Sequence, residues 1–167
     1  RYMAAQLSTS GHQVLLVDND AKVVGRTKPN ESLSVMFGDA CDLDTLSKAG
    51  VSDADVVAAV TGDDEDNLVI SLLAKQEFGV PRVVARVNNP NNEWMFNQMW
   101  GIDVSVSTPH LLTALVEEAV NVGSFVRILT FEQGRTQLAE VTLAEGSPAV
   151  NRQIAELNLS RETSVVA

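Results

Sequence analysis

Small and charged residues stand where the short apolar runs of this chain end. Asp18, Asp39, Thr61 and Arg86 each lie at or beside the end of such a run, and Gly62 follows Thr61. A carboxylate accepts hydrogen bonds from sugar hydroxyls, a glycine lets a phosphate approach the backbone, and an arginine binds phosphate through two hydrogen bonds. Ligands of parallel α/β sheets bind at the carboxyl ends of the strands. The pattern therefore indicates a nucleotide site.

Asp18 carries the most specific of these predictions. An acid at the end of the second strand of a dinucleotide-binding domain accepts hydrogen bonds from ribose hydroxyls, and its charge favours NAD over NADP. The alternative is a helix N-cap, because Asp18-Asn19-Asp20 precedes a predicted helix. A glycine-rich phosphate loop lies about 20 residues before such an acid, so we expect that loop and the first strand ahead of Arg1.

Each neighbouring position has two interpretations. The Asp39 carboxylate and the Ala40 amide suit the edge of an adenine ring, but Gly38-Asp39 is also common turn chemistry. Thr61-Gly62 suits a close phosphate contact or a plain turn from strand to helix.

Arg86 is a charge inside an otherwise apolar strand and needs a partner. That partner is either a nucleotide phosphate or an acid, Asp63 or Asp64. The run from Asp63 through Glu65 to Asp66 resembles a cation site. Aspartate caps and negative charge favour the start of a helix there instead.

Composition excludes several classes of protein. The net charge of the 167 residues is −10, which disfavours nucleic acid as a partner. With Cys41 as the one cysteine and only His12 and His110 as histidines, we expect no disulfide and no zinc site. We find no Ser/His/Asp grouping to assign as catalytic. No apolar run approaches the roughly 18 residues of a membrane span, and we expect a soluble, intracellular protein.

Apolar runs alternate with helical patterns, which predicts βαβ units and a Rossmann-like, doubly wound parallel sheet. The predicted strands are Val14–Val17, Leu33–Phe37, Val56–Val60, Arg82–Val87 and Asp103–Val106. After a first helix that Gly11 ends, the predicted helices are Asn19–Arg26, Asp42–Lys48, Asp66–Phe78, Glu93–Trp100 and Thr108–Val120. The run Val14–Val17 has no polar break, which predicts burial on both faces. The aromatic residues of Glu93–Trp100 suit the core or a partner interface.

The pattern changes after Gly123 to a β-hairpin. Its predicted strands are Phe125–Phe131 and Leu138–Leu143, joined by a turn at Gln133-Gly134-Arg135. We therefore predict a Rossmann-like nucleotide-binding domain over 1–122 that lacks its first strand and phosphate loop. Residues 123–167 are then the truncated start of a small α+β C-terminal subdomain.

Several segments together resemble the RCK (regulator of potassium conductance) domain family, and within it the TrkA-type regulatory subunits of Trk potassium-uptake systems. The specific runs are Ala59-Val60-Thr61-Gly62-Asp63-Asp64-Glu65-Asp66-Asn67 and Ala85-Arg86-Val87-Asn88-Asn89-Pro90. Leu16-Val17-Asp18-Asn19-Asp20, Phe37-Gly38-Asp39-Ala40 and the tail from Glu145 to Leu159 agree with it. The resemblance covers essentially the whole chain.

The resemblance implies a domain that binds NAD(H), ATP or ADP as an effector rather than a substrate. It implies homodimers, tetrameric or octameric rings and an integral-membrane Trk-type potassium transporter as partner, hence a cytoplasmic protein at the inner face of the plasma membrane. The binding residues it implies are Asp18, Thr61, Gly62, Arg86 and Arg1. With Asn19, Asp39 and Ala40 these are the predicted binding residues. Some relatives hold a cation with a Glu soon after the strand that corresponds to Asp103–Val106. Ser107-Thr108-Pro109-His110-Leu111 stands there, so we expect no such site.

Two other functions compete with a regulatory subunit. An NAD-dependent dehydrogenase needs a substrate domain with a proton-transfer residue, and the tail after Gly123 offers none. A scaffold that dimerises through its last two helices would need no nucleotide at all.

Overall fold

The computed structural model describes residues 1–120, 125–131, 136–160 and 162–166. The chain forms two compact units, Arg1–Thr108 and Pro109–Ala167. The domain boundary predicted after residue 122 falls outside the described residues and stays a prediction.

The first unit alternates helices with parallel strands. Its strands are β1 (Val14–Asp18), β2 (Leu33–Phe37), β3 (Val56–Ala59), β4 (Arg82–Val87) and β5 (Val104–Ser107). Its helices are α1 (Tyr2–Thr9), α2 (Ala21–Arg26), α3 (Leu43–Lys48) and α4 (Asp64–Gln76), and α5 (Thr108–Val120) starts at its last residue. The predicted Rossmann-like α/β class is confirmed.

The parallel strands form two sheets rather than one continuous sheet. β1 pairs with β2, from Val14 opposite Leu33 to Asp18 opposite Phe37. The second sheet has the order β3-β4-β5. β1 and β3 therefore each have one edge without a strand partner in the described part of the chain. The prediction that β1 is buried on both faces is wrong: Leu15 is 40% exposed, because β1 is an edge strand here.

Two apolar clusters pack α4 against the second sheet. One joins Leu68 and Ile70 of α4 to Ala85 and Val87 of β4, with Phe96 beside them. The other joins Leu46 of α3, Ala74 of α4 and Val83 of β4, with Val51 and Val80 from the connecting segments. Alternate residues of β4 thus face α4, which leaves Arg86 on the other side of the strand.

One predicted helix, Glu93–Trp100, is wrong. The segment forms two short 3₁₀ helices, Pro90–Met95 and Gln98–Trp100. Between them Asn97 is extended and its side chain accepts a hydrogen bond from the N–H of Met99, because asparagine competes for backbone groups that a helix needs. Phe96 is buried, whereas Trp94 and Met99 are 76% and 85% exposed.

The second unit begins with α5 and continues into an antiparallel pair, β6 (Phe125–Phe131) and β7 (Thr136–Val141). This confirms the predicted hairpin, although its turn lies outside the described residues. None of the helices in the described ranges is both long and apolar enough to cross a membrane.

Candidate functional site

The ends of β1 and β2 hold two carboxylates in tight turns. Oδ1 of Asp18 accepts a 2.9 Å hydrogen bond from the N–H of Asp20, and Oδ1 of Asp39 accepts one of 2.9 Å from the N–H of Cys41. The N–H of Gly38 donates to the carbonyl oxygen of Asp18, so the strand ends stay joined. Asp20, not Asp18, is the N-cap of α2. The second carboxylate oxygens of Asp18 and Asp39 accept no hydrogen bond among the described residues.

Ala40 and Cys41 connect the first sheet to the second. Ala40 packs against both apolar clusters, and Sγ of Cys41 lies 3.9 Å from the carbonyl oxygen of Asp66 in the first turn of α4. Burial and the carboxylates of Asp66 and Asp39 raise the pKa of the Cys41 thiol to about 12. Cys41, four residues beyond the end of β2, therefore brings the loop after this strand against the first turn of α4.

The backbone N–H and the hydroxyl of Thr61 both contact acceptors within the protein. Its N–H donates to Oδ1 of Asn67 at 2.8 Å, and its hydroxyl lies 2.9 Å from the same oxygen and 2.9 Å from the carbonyl oxygen of Asp63. Gly62 next to it is open: a Cβ placed there would meet no atom of the protein within 4 Å. Of the Thr61-Gly62 pair, Gly62 is the position that a ligand can approach.

Asn67 is the residue that sequence reasoning missed. Its side chain is fully buried, and its Nδ2 donates to the carbonyl oxygens of Arg86 at 2.9 Å and of Thr61 at 3.4 Å. The sequence signal for Asn67 is that a polar residue stands beside the apolar stripe of α4, at the end of the run that begins at Ala59.

Asp63 and Asp64 have different structural roles at the start of α4. Asp63 is the N-cap of α4, and its side chain accepts from the N–H groups of Glu65 and Asp66, which confirms the helix-start interpretation. Asp64 is only 4% exposed, and its carboxylate accepts hydrogen bonds from the backbone N–H of Asn88 at 2.6 Å and, on its other oxygen, of Asn89 at 3.0 Å.

The pKa of Asp64 results from two opposed causes. Burial raises the pKa of the carboxyl, but the hydrogen bonds that Asn88, Asn92 and Asn89 donate outweigh burial and hold the pKa below its ordinary value. The carboxylate is therefore kept charged by the loop after β4. Over the described ranges, no group of three or more His, Cys, Asp or Glu side chains is suited to hold a metal ion.

Arg86 lies near the end of β4. One of its guanidinium nitrogens, Nε, is buried and has no hydrogen-bond partner among the residues described. The alternative partner Asp64 is engaged with the loop, and the ion pairs between described residues, Lys75–Asp103 and Arg152–Glu156, do not involve Arg86. A buried guanidinium nitrogen without a partner is costly, and an anionic ligand group would satisfy it.

Arg1 lies in a different part of the first unit from these residues. It lines a cleft of about 330 Å³ together with Tyr2, Arg26, Lys28 and Leu33. Leu33 is the first residue of β2, whereas Asp18 and Asp39 mark the carboxyl ends of the strands. Arg1 therefore lies apart from the predicted positions at the carboxyl ends of the strands, and its phosphate contact stays a prediction.

These groups define a class: a Rossmann-like α/β unit with acidic, small and cationic positions gathered at the carboxyl ends of its parallel strands. Comparison with known proteins makes the assignment specific. The TrkA-N domain family matches residues 1–108. A "Trk system potassium uptake protein TrkA" of Mycobacterium tuberculosis is 43% identical over 166 residues, which cover 99% of this chain and 75% of that protein. The chain belongs to the TrkA family of Trk potassium uptake proteins, which confirms the resemblance noted in the sequence.

More distant relatives and solved structures agree. A TrkA homolog of Methanothermobacter thermautotrophicus is 27% identical, over 99% of this chain and 75% of its own length. The structure of the "GsuK channel bound to NAD" superposes with a TM-score of 0.66 at 19% identity, over 76% of this chain and 23% of that one. The NAD(P)-binding domain of an exopolyphosphatase-related protein from Archaeoglobus fulgidus gives 0.59 at 21% identity, over 71% and 87%. These likenesses establish the fold.

Proposed function

We propose that this chain is a nucleotide-binding regulatory subunit of a potassium-uptake system. NAD(H) or ATP/ADP binds as an effector at the carboxyl ends of β1 to β4 and changes potassium flux through an integral-membrane Trk-type transporter. One observation carries the proposal: in a TrkA-family chain, the Nε of Arg86, without a partner among the described residues, lies near the end of β4, and the open Gly62 follows the neighbouring parallel strand β3. The proposal places the protein in the cytoplasm, at the inner face of the plasma membrane.

Each binding residue has a separate role in this proposal. Asp18, with Asn19 beside it, receives the ribose hydroxyls and disfavours a 2′-phosphate. Asp39 and the Ala40 amide meet the adenine edge. Thr61 and Gly62 let the phosphates approach the backbone, and Arg86 binds a phosphate oxygen. Arg1 is assigned to a phosphate as well.

The nucleotide acts by shifting a population rather than by reacting. It changes flux only if it binds one conformation of the assembly more tightly than another, by the amount of that difference in affinity. A homodimer, built up to a tetrameric or octameric ring, supplies those conformations. The exposed Trp94 and Met99 support such an assembly, since aromatic residues and methionine are enriched in interface cores.

The proposed domain organisation keeps the predicted bounds, 1–122 for the nucleotide-binding domain and 123–167 for the start of the C-terminal subdomain. The unpartnered edges of β1 and β3 support a further parallel strand between them, with the glycine-rich phosphate loop ahead of Arg1.

Potassium flux in membrane vesicles tests the function. Vesicles with a Trk-type transporter and the full-length protein are loaded with NADH, ATP or ADP, and uptake of a potassium tracer is followed. We expect one nucleotide to change the initial rate and Gly62→Ala to abolish that response. An uptake rate that no nucleotide changes would favour the scaffold function. Oxidation of NADH by the protein would favour the dehydrogenase.

A further inference from the structure

We propose that Asn67 is a positioning residue, which sets the separation between the Thr61-Gly62 loop and Arg86. It thereby determines how tightly this edge holds the phosphate part of a nucleotide. The inference rests on the proposed function, because it assumes that Gly62 and Arg86 face the phosphates.

The two strand ends are joined by the side chain of Asn67 where their own pairing stops. The register of β3 and β4 ends with Ala59 opposite Ala85. Beyond it, the Asn67 carboxamide accepts from the N–H of Thr61 at 2.8 Å and donates to the carbonyl oxygen of Arg86 at 2.9 Å. The side chain thus bridges the two strand ends at the point where the ladder hydrogen bonds stop.

Asn67 acts on a ligand only through other residues. Its side chain is 0% exposed, so no ligand atom reaches it. Its oxygen also lies 2.9 Å from the hydroxyl of Thr61, and its nitrogen lies 3.4 Å from the carbonyl oxygen of Thr61. Both amide hydrogens face carbonyl oxygens and the amide oxygen accepts from the N–H of Thr61, so these contacts define one orientation of the side chain.

Asn88 holds the same loop from the other side. Its Nδ2 donates to the carbonyl oxygen of Thr61 at 3.2 Å, while its own N–H is held by the Asp64 carboxylate at 2.6 Å. Asn88 is less buried than Asn67 and makes one of these side-chain contacts rather than four. Its substitution weakens the same arrangement with less damage to the core.

Titration of the full-length protein with ADP and with adenosine tests the inference. Both ligands reach Asp18 and Asp39, but only ADP reaches Gly62 and Arg86. Asn67→Asp keeps the shape of the side chain and turns its donor into an acceptor that faces two carbonyl oxygens. We expect the ADP affinity to fall about tenfold, in line with the loss of a buried hydrogen bond, and the adenosine affinity to stay within about twofold of wild type.

Asn88→Ala keeps the test decisive if Asn67→Asp does not fold. We expect a smaller loss for ADP, about threefold for one part-buried hydrogen bond, and again no loss for adenosine. Equal losses for the two ligands would show a general structural effect and overturn the inference, as would ADP binding that neither variant changes. A wild-type protein that binds neither ligand would overturn the proposed function itself.

Discussion

The backbone N–H of Asn88 donates a 2.6 Å hydrogen bond to the carboxylate of Asp64, and this bond ties the loop after β4 to the first turn of α4. The same carboxylate accepts from Asn89 and from the side chain of Asn92. A single buried acid therefore determines where the chain runs immediately after Arg86.

Acid should weaken the fold through Asp64. Because the folded-state pKa of Asp64 is lowered, its contribution to the free energy of unfolding is present above the ordinary aspartate pKa of about 3.9 and is lost as the pH falls below it. Asp64→Asn should cost about 1–3 kcal/mol at pH 7 and should flatten the loss of stability in acid. Urea unfolding between pH 3 and pH 7 measures both effects.

Glu65→Gln is the matched control for Asp64, because Glu65 is exposed in the same helical turn. It should change the free energy of unfolding by less than about 0.5 kcal/mol. Some acid sensitivity will remain in every variant, since hydrogen bonds from Thr45 lower the pKa of Asp42 as well. Wild type and Asp64→Asn curves that run parallel from pH 7 to pH 3 would refute the role of Asp64.

Gly62→Ala should separate binding from folding. A Cβ at Gly62 meets no protein atom within 4 Å, so the melting temperature without ligand should stay within a few degrees of wild type. The added methyl group should weaken nucleotide binding at least tenfold, because it occupies the space of the phosphates. Calorimetric titration measures the affinity. The control is Gly25→Ala, which is equally open but lies inside α2, and it should leave the nucleotide affinity unchanged. A Gly62→Ala variant with the affinity of the wild type would argue against a phosphate next to Gly62.

Arg86→Met should act in opposite directions on stability and binding. It removes a buried nitrogen that lacks a hydrogen bond, so the free energy of unfolding without ligand should hold or rise by up to about 1 kcal/mol. The affinity for ATP should fall more than the affinity for NAD, because ATP carries more phosphate charge for Arg86 to bind. Arg82→Met, at the exposed start of the same strand, is the control. Equal losses for ATP and NAD would contradict a phosphate contact by Arg86.

Cys41 should be slow to alkylate in the native protein. Burial and the nearby Asp66 and Asp39 carboxylates raise the pKa of its thiol to about 12, so almost no thiolate forms at pH 8. Iodoacetamide labelling, followed by mass spectrometry, should be at least tenfold slower than in urea. Native and unfolded rates that agree at pH 8 would contradict the described environment of Cys41.

The alternation of apolar runs and helical patterns was enough to predict the fold. β2 and β4 lie where predicted, and Asp42 and Asp63 begin helices as expected of aspartate caps. The Glu93–Trp100 helix was wrong because the competing hydrogen bonds of Asn97 are not visible in hydrophobic spacing.

Only part of the candidate site could be predicted from the sequence. Asp18, Asp39, Gly62 and Arg86 stand out because strand ends are recognisable from the pattern. The buried amide of Asn67 was not singled out, since its partners lie 6 and 19 residues away and their meeting depends on tertiary packing.

Thermal unfolding of the full-length protein with NADH, ATP or ADP tests the central claim most directly, with Asp18→Asn beside the wild type. The variant keeps the acceptor that holds the N–H of Asp20 but loses the charge that receives the ribose. Saturation at about 100 times Kd stabilises a protein by about 2.7 kcal/mol. We expect a clear upward shift of Tm with at least one nucleotide in the wild type and little or none in Asp18→Asn. A wild-type Tm that none of the three nucleotides moves, or a shift that Asp18→Asn retains in full, would contradict it.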